Sequence, residues 1–240
     1  EGIALRSIFV PSTEENFLLS IDYSQIELFL LAILTGKGNF FDSFKNQEDI
    51  HKTTASTIFN KPVEIISDDE RRIGKIVNFA IIYGLTSIGL SKKLNISITD
   101  AEEFINRFNE KYPELEKFVN ENIDFCKRNK FVETIYGRKR FFPSLLKKSE
   151  KRKVLNSILQ GTAADLIKIS MNRILRKFEK EKLKSKIILQ IHDELLFDVF
   201  PEELQIVKEI IKNIMEDFNF DLKLKTTIKI GKDFYYMKEV

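Results

Sequence analysis

A short apolar run, FLLSI, ends at Asp22, and a longer one, IELFLLAIL, begins at Ile26. The first predicts a buried strand over 17–22; the second predicts a buried helix over 24–35, stopped near Gly36 and Gly38. From about 39 to 130 apolar positions recur with helical spacing and short breaks. HKTTASTIF (51–59) predicts one helix. SDDERRIGKIVNFAIIYG (67–84) predicts another, with Ser67 and Glu70 at capping-box spacing. TDAEEFINRFNEKYP (99–113) predicts a third, starting at Thr99 or Asp100, and Pro113 marks a kink or a new helix start. KFVETIYGRKRFF (130–142) predicts a small hairpin around Gly137, closed by Pro143. A long helix over 149–180 follows, then the strand-like segments KIILQI, ELLFDVF and LKTTIKI, with a helix over 202–218 before the last.

Strands thus come from both ends of the chain and helices from the middle. The fold class predicted is α+β, an antiparallel sheet backed by helices, with a helical subdomain inserted after the first strand. The 240 residues suffice for a real core. Lys and Arg number 39 against 36 Asp and Glu, so a polyanion site has to be a local patch rather than a global property. The single Cys126 excludes an internal disulfide framework and fits a reducing compartment. No run of 18 apolar residues occurs and the opening EGIALRSIF lacks signal-peptide order, so a soluble protein is expected, with no membrane partner. The absence of an initiator Met reads as a piece of a longer polypeptide. The 21 Phe, without any Trp, read as core packing and codon bias.

The candidate chemistry begins with carboxylates set beside apolar runs, an expensive placement unless a cation or hydrogen-bond donors receive them. Asp22 ends the first strand, and His192-Asp193 interrupts LQIHDELLF as a tight turn between two strands. Two carboxylates at strand ends of one sheet can bracket two Mg²⁺ ions. The pattern leaves other roles open: Asp193 can satisfy turn backbone, Asp22 can cap the next helix, and Asp198 also ends a strand. On the helix RRIGKIVNFAIIYG, Arg71, Lys75 and Phe79 recur at i, i+4 and i+8 with Tyr83 next, a stripe of two cations and two rings. Such a stripe suits phosphates and a stacked base or sugar, or it is a solvated basic face ending in core aromatics. Gly74 inside that helix costs about 1 kcal/mol against Ala. On RKVLNSILQGTAADLIKIS, Arg152, Asn156 and Gln160 share a second polar stripe, able to donate to minor-groove base edges or simply solvated.

DYSQIEL (22–28), RRIGKIVNFAIIYG (71–84) and HDE (192–194) occur in the order that resembles the polymerase domain of family A DNA polymerases. HKTTASTIF, YGRKRFFP and QGTAAD resemble the same family between them, so the likeness extends from residue 1 to about 200. It implies a right-hand fold, of which this chain resembles the palm (1–35 and 148–240) and fingers (36–147), the thumb being absent from these residues. It implies template-directed transfer of a nucleotide from a dNTP to a primer 3′-hydroxyl with release of pyrophosphate.

By the same resemblance Asp22 and Asp193 hold two Mg²⁺ ions, for which Mn²⁺ can substitute, together with the Tyr23 backbone carbonyl. Lys75 counts with the two aspartates as catalytic; Arg71, Lys75, Phe79, Tyr83, His51 and Gln25 bind the dNTP; and Glu27, supported by Tyr83, gates its sugar. Arg152, Asn156, Gln160, His192 and Glu194 contact DNA. Implied partners are primer–template DNA, dNTPs, and a thumb and exonuclease domains of the same parent polypeptide; a monomer is expected. The expected location is the bacterial cytoplasm (nucleoid), or an organelle such as a plastid if the parent carries a targeting segment.

Two departures stand out: Phe29 occupies a position the family usually gives to Arg, and the tail GKDFYYMKEV lacks the Trp and terminal Ala-His that commonly close the family. Without a thumb to grip the duplex, the isolated chain is expected to bind primer–template poorly. The rival expectation is a catalytically silent, nucleic-acid-binding polymerase remnant, which loss of Asp22 or Asp193 would favour; both are present.

Overall fold

The structure, a computed structural model, describes residues 2–142 and 151–240, without the side chains of 2–4, 151 and 152. Pro143, the first residues of the long helix predicted from 149, and the side chain of Arg152 therefore lie outside the described residues. In chain order the elements are α1 (Gly2–Ser7), β1 (Phe17–Tyr23), α2 (Ile26–Thr35), α3 (Asn39–Lys45), α4 (Ile50–Phe59), α5 (Asp68–Ile82), α6 (Ser87–Leu94), α7 (Ile98–Lys111) and α8 (Pro113–Asn129). They continue with β2 (Phe131–Glu133), β3 (Lys139–Phe141), α9 (Lys151–Glu181), β4 (Lys186–Ile191), β5 (Glu194–Val199), α10 (Leu204–Glu216), β6 (Thr226–Gly231) and β7 (Lys238–Glu239). Two compact units result, one of residues 1–28 and 162–240, the other of residues 29–161.

The first unit is built on a five-stranded sheet in the order β4-β5-β1-β6-β7, with β1 antiparallel to both neighbours. Leu19, Ile21 and Tyr23 face one side with Phe197 and Leu195, their register partners or neighbours on β5. Helix α9 covers that side: Phe178 meets Phe197 at 6.0 Å between ring centroids, and the Tyr23 hydroxyl bonds Ser170 Oγ at 2.8 Å. On the opposite side Leu18 and Leu196 pack with Phe234. Strict alternation then places Asp22 and its register partner Glu194 on the Leu18 side, away from the buried Tyr23 ring.

The second unit is helical apart from the β2–β3 hairpin, which turns at Gly137 with φ +79°. Its helix starts carry the chemistry that short polar residues bring to orphan N–H groups. Ser67 and Glu70 form the complete capping box of α5, and Pro113 occupies the first turn of α8. Helix α7 is capped two or three residues earlier than Thr99 or Asp100 suggest, because Ser97 Oγ accepts from the Asp100 N–H at 3.0 Å. Asp49 caps α4 by accepting from the N–H groups of His51 and Lys52 at 3.0 and 3.1 Å.

Helices α4 and α5 cross closely at Gly74. A Cβ there would lie 2.2 Å from the His51 carbonyl oxygen and 2.9 Å from the Ala55 nitrogen, both backbone atoms that cannot swing away. The glycine that looks costly on helix propensity is therefore required by the crossing. Gly74→Ala gains about 1 kcal/mol of helix propensity but has to spread the two helices. The expected net result is a loss of about 1–3 kcal/mol, read as a lowered midpoint in urea unfolding with an unchanged slope; a higher midpoint would mean that the helices are not held this tightly.

Candidate functional site

The sheet unit concentrates acid at one end of β1 and β5. Asp22 faces Glu194 across the strand pair, and Asp193 lies in the two-residue turn between β4 and β5, its carbonyl accepting from the Tyr23 N–H at 3.5 Å. His192 opens that turn at φ +56°, a left-handed conformation uncommon outside glycine and tolerated by His more than by most residues. Gln25 takes φ +56° in the turn that leaves β1, where it is exposed. The turn is pinned to β6: Ser24 N–H donates to the Lys225 carbonyl at 3.0 Å, and Ser24 Oγ bonds Thr227 Oγ1 at 3.1 Å. Both aspartates therefore leave the sheet from tied-down backbone.

These carboxyls repel one another. The Asp22 carboxyl is pushed up to about 6, first by burial and then by Asp193 and Glu194, with Lys229 and the Tyr23 N–H opposing. Burial also raises Asp193, against its own backbone N–H and His192. The charge of two half-buried acids that resist ionising would be relieved by a hard cation. Among the described residues no group of three or more His, Cys, Asp or Glu side chains is arranged to hold a metal by itself.

Burial and repulsion of the Asp22 charge have a consequence for stability. Unfolded, Asp22 ionises at its ordinary 3.8; folded, at about 6, so between those values the folded state holds the extra proton. Its contribution to stability falls as pH rises through this window, and the whole deficit is present above pH 6. Without divalent cation, Asp22→Asn is expected to stabilise the chain by about 1–2 kcal/mol at pH 8, solvent screening having reduced the full effect. The gain should vanish below pH 4. Thermal melts of both proteins across this range, in EDTA, check it; equal melting temperatures at pH 8 would mean that neither burial nor the neighbouring acids disfavour the Asp22 charge.

The helical unit carries the cationic stripe. Lys75, Phe79 and Tyr83 line one groove of about 440 Å³, to which Arg72 and Lys93 add further positive charge. The Phe79 and Tyr83 rings lie nearly parallel, 6.1 Å apart, and the His51 ring lies 6.1 Å from Phe79. Among the described residues Lys75 has no ion-pair partner. Arg71 has one: its Nε meets Asp49 Oδ2 at 2.6 Å. Burial works against ionisation of Asp49, but the Arg71 hydrogen bond and the N–H groups of Lys52 and His51 outweigh it and lower its pKa. His51 is almost fully buried, and its pKa falls to about 4, chiefly by burial; Asp49 pulls the other way, while Arg71 and Lys75 add to the lowering. It is a neutral imidazole at pH 7.

The remaining predicted residues fall as follows. Glu27 lies half-buried in the first turn of α2, and Tyr23 places its ring in the core, with its main chain between Asp22 and the pinned turn. On α9 Gln160 is exposed, while Asn156 Oδ1 is buried without a hydrogen-bond partner among the described residues, a placement that costs about 1–3 kcal/mol. Four contributors escape the sequence reading: Asp49, Arg72, Lys93 and Asn78. Asp49 had a legible signal, an Asp directly before a helical run. Asn78 had a weaker one, an amide among Val77, Phe79 and Ala80.

An antiparallel sheet that raises paired acids at its strand ends, and a helical unit with a cation-and-ring groove, are the palm and fingers portion of a right-hand polymerase fold. The profile described as "DNA polymerase family A" matches residues 1–236, and the chain belongs to that family. It is 38% identical to the DNA polymerase I of Caldicellulosiruptor bescii over 99% of this chain and 29% of that protein. It is 34% identical to the thermostable DNA polymerase I of Thermus aquaticus over 99% of this chain and 29% of that one. A solved POL domain of Pol1 from M. smegmatis, in complex with DNA primer-template and dNTP, superposes with a TM-score of 0.92 at 28% identity, over 98% of this chain and 42% of that one. The chain thus spans under a third of the length of these curated relatives. Among the described residues no helix is long and apolar enough to cross a membrane.

Proposed function

We propose that these residues form the palm and fingers of a template-directed DNA polymerase, carrying a nucleotide from a dNTP to a primer 3′-hydroxyl. The observation that supports this most is the acid pair itself: Asp22 near the end of β1 and Asp193 in the turn between β4 and β5 have raised pKa values, which a bound divalent cation would relieve. Asp22 and Asp193 hold Mg²⁺, with the Tyr23 carbonyl completing the set. The chemistry the ions supply when bound is a lowered pKa for the attacking hydroxyl and charge neutralisation at the α-phosphate and the leaving oxygens.

The chain's own groups do the rest. Lys75 binds the triphosphate through charge-assisted hydrogen bonds, and Arg71 adds its free guanidinium donors while Asp49 fixes the arm. Both stabilise charge as it collects on the departing pyrophosphate. Phe79 and Tyr83 offer faces to the base or sugar, Gln25 contributes to the nucleotide site, and Glu27 excludes a ribose 2′-hydroxyl. Arg152, Asn156, Gln160, His192 and Glu194 contact template and primer, the unpartnered Asn156 Oδ1 gaining a donor there. Primer–template DNA, dNTPs and the thumb and exonuclease domains of a parent polypeptide are the partners.

Primer extension tests the reading, with the chain joined to a thumb, Mg²⁺, and each dNTP offered singly. The expected result is incorporation only of the nucleotide complementary to the template base. Template binding without incorporation, in Mg²⁺ or Mn²⁺, would identify a silent binding remnant instead.

A further inference from the structure

Asn78 lies in the middle of α5, fully buried, with every polar atom of its amide engaged. Its Nδ2 donates to the Ile50 carbonyl at 3.3 Å and lies 3.0 Å from His51 Nδ1, while its Oδ1 accepts from Thr54 Oγ1 at 2.9 Å. The Ile50 carbonyl can only accept, so it fixes which end of the amide is nitrogen: the flipped amide would set two oxygens against each other. With Nδ2 facing His51, Nδ1 must be the acceptor, and in a neutral imidazole the proton then sits on Nε2. Among the described residues nothing accepts a hydrogen bond from Nε2, although the side chain is only 2% exposed. Nε2 is not among the fully buried unpartnered side-chain atoms of the described residues, so it borders open space where water or a ligand can complete it.

The surroundings say which class of ligand. Arg71 and Lys75 both act on the His51 ring, Asp49 lies on the same helix start, and Phe79 of the groove stands beside it. We propose that Asn78 is a positioning residue, holding His51 as a neutral Nε2–H donor for the anionic phosphate chain of the nucleotide that Lys75 binds. This rests on reading the helical unit as the nucleotide holder, and adds to it how an unlike pair, one cation and one neutral donor, is kept. Burial prevents His51 from becoming a further cation beside Arg71 and Lys75, and the Asn78 amide prevents the alternative neutral form, whose bare Nε2 would repel phosphate oxygen.

The chain has only two histidines, so ¹⁵N-histidine labelling gives two imidazole patterns, told apart by His192→Gln. The expected wild-type pattern for His51 is protonation at Nε2 alone, unchanged between about pH 5 and 8. Asn78→Asp presents only acceptors to Nδ1 and should move the proton there, with dCTP·Mg²⁺ affinity falling about tenfold, the loss of one charge-assisted bond. Thr54→Val removes the other contact of the same amide, and should leave both tautomer and affinity in place. A wild-type His51 protonated at Nδ1, or titrating near its ordinary value, overturns the proposal without any variant. So does an unchanged affinity in Asn78→Asp when Lys75→Ala weakens binding. If neither variant changes dCTP affinity, the nucleotide reading of this unit fails as well, and the two failures are distinguishable.

Discussion

Asp193→Asn abolishes primer extension and leaves primer–template binding close to wild type. Asn keeps the shape of the turn, since an amide can satisfy turn backbone as a carboxyl does and tolerates the same conformations. What it removes is one of two negative charges that the site presents to a divalent cation. The sheet around it should stand unchanged, because Leu195, Leu196 and Phe197 of β5 are core residues and do not depend on the turn acid. Asp22→Asn should behave alike in extension while melting higher in EDTA at pH 8. That combination, less activity with more stability, marks an acid kept for chemistry rather than for the fold. A mobility-shift titration beside the extension assay checks it. Near-normal extension by either variant would remove that aspartate from the metal site.

The strands and their turn were legible because their signals are local. FLLSI, KIILQI and ELLFDVF are short apolar runs, and a polar pair between the last two can only be a turn. So too were Ser67 and Glu70, whose reciprocal bonds span three residues. What could not be read is what folding brings together from afar. Asp49 and Arg71 are 22 positions apart, and Asn78 and His51 are 27 apart. No periodicity announces such pairs. Gly74 shows the same limit from the other side: propensity marks it as a defect, while the α4 backbone at His51 and Ala55 leaves space for nothing larger. Strand β7, two residues long, carries no pattern at all.

Phe29 illustrates how one substitution changes the use of a position. The family pattern places an Arg there; here the ring is 3% exposed and meets Phe44 edge-to-face at 6.4 Å. Phe44 in turn neighbours Phe40, which packs on Tyr112 at 5.2 Å, and Tyr112 on Phe108 at 5.0 Å. The position has joined an aromatic core, where an aromatic pair contributes about 0.5–1.5 kcal/mol beyond its buried area. Any contact an arginine makes there has to come from another cation.

Lys75→Ala lowers nucleotide use about ten- to a hundredfold, the value of one charge-assisted hydrogen bond of about 1.5–3 kcal/mol, and changes primer–template affinity little. The direction follows from what surrounds the ammonium. Arg71 is tied by Asp49, whereas among the described residues Lys75 has no carboxylate to satisfy it, so its charge is available to an anion entering the groove beside Phe79 and Tyr83. The fold should not suffer, because Ile82, Val77 and Ala80 anchor α5 through its buried side and Lys75 is exposed. Lys75→Arg is the informative partner variant. A guanidinium keeps the charge but forks where an ammonium is compact, so it should restore binding more than turnover. Steady-state kinetics that separate kcat from KM for dCTP, beside a DNA-binding titration, decide the matter. A loss of DNA affinity by the same factor, with nucleotide kinetics untouched, would make the stripe a grip on the template strand, and the groove would have to be reassigned to nucleic-acid backbone.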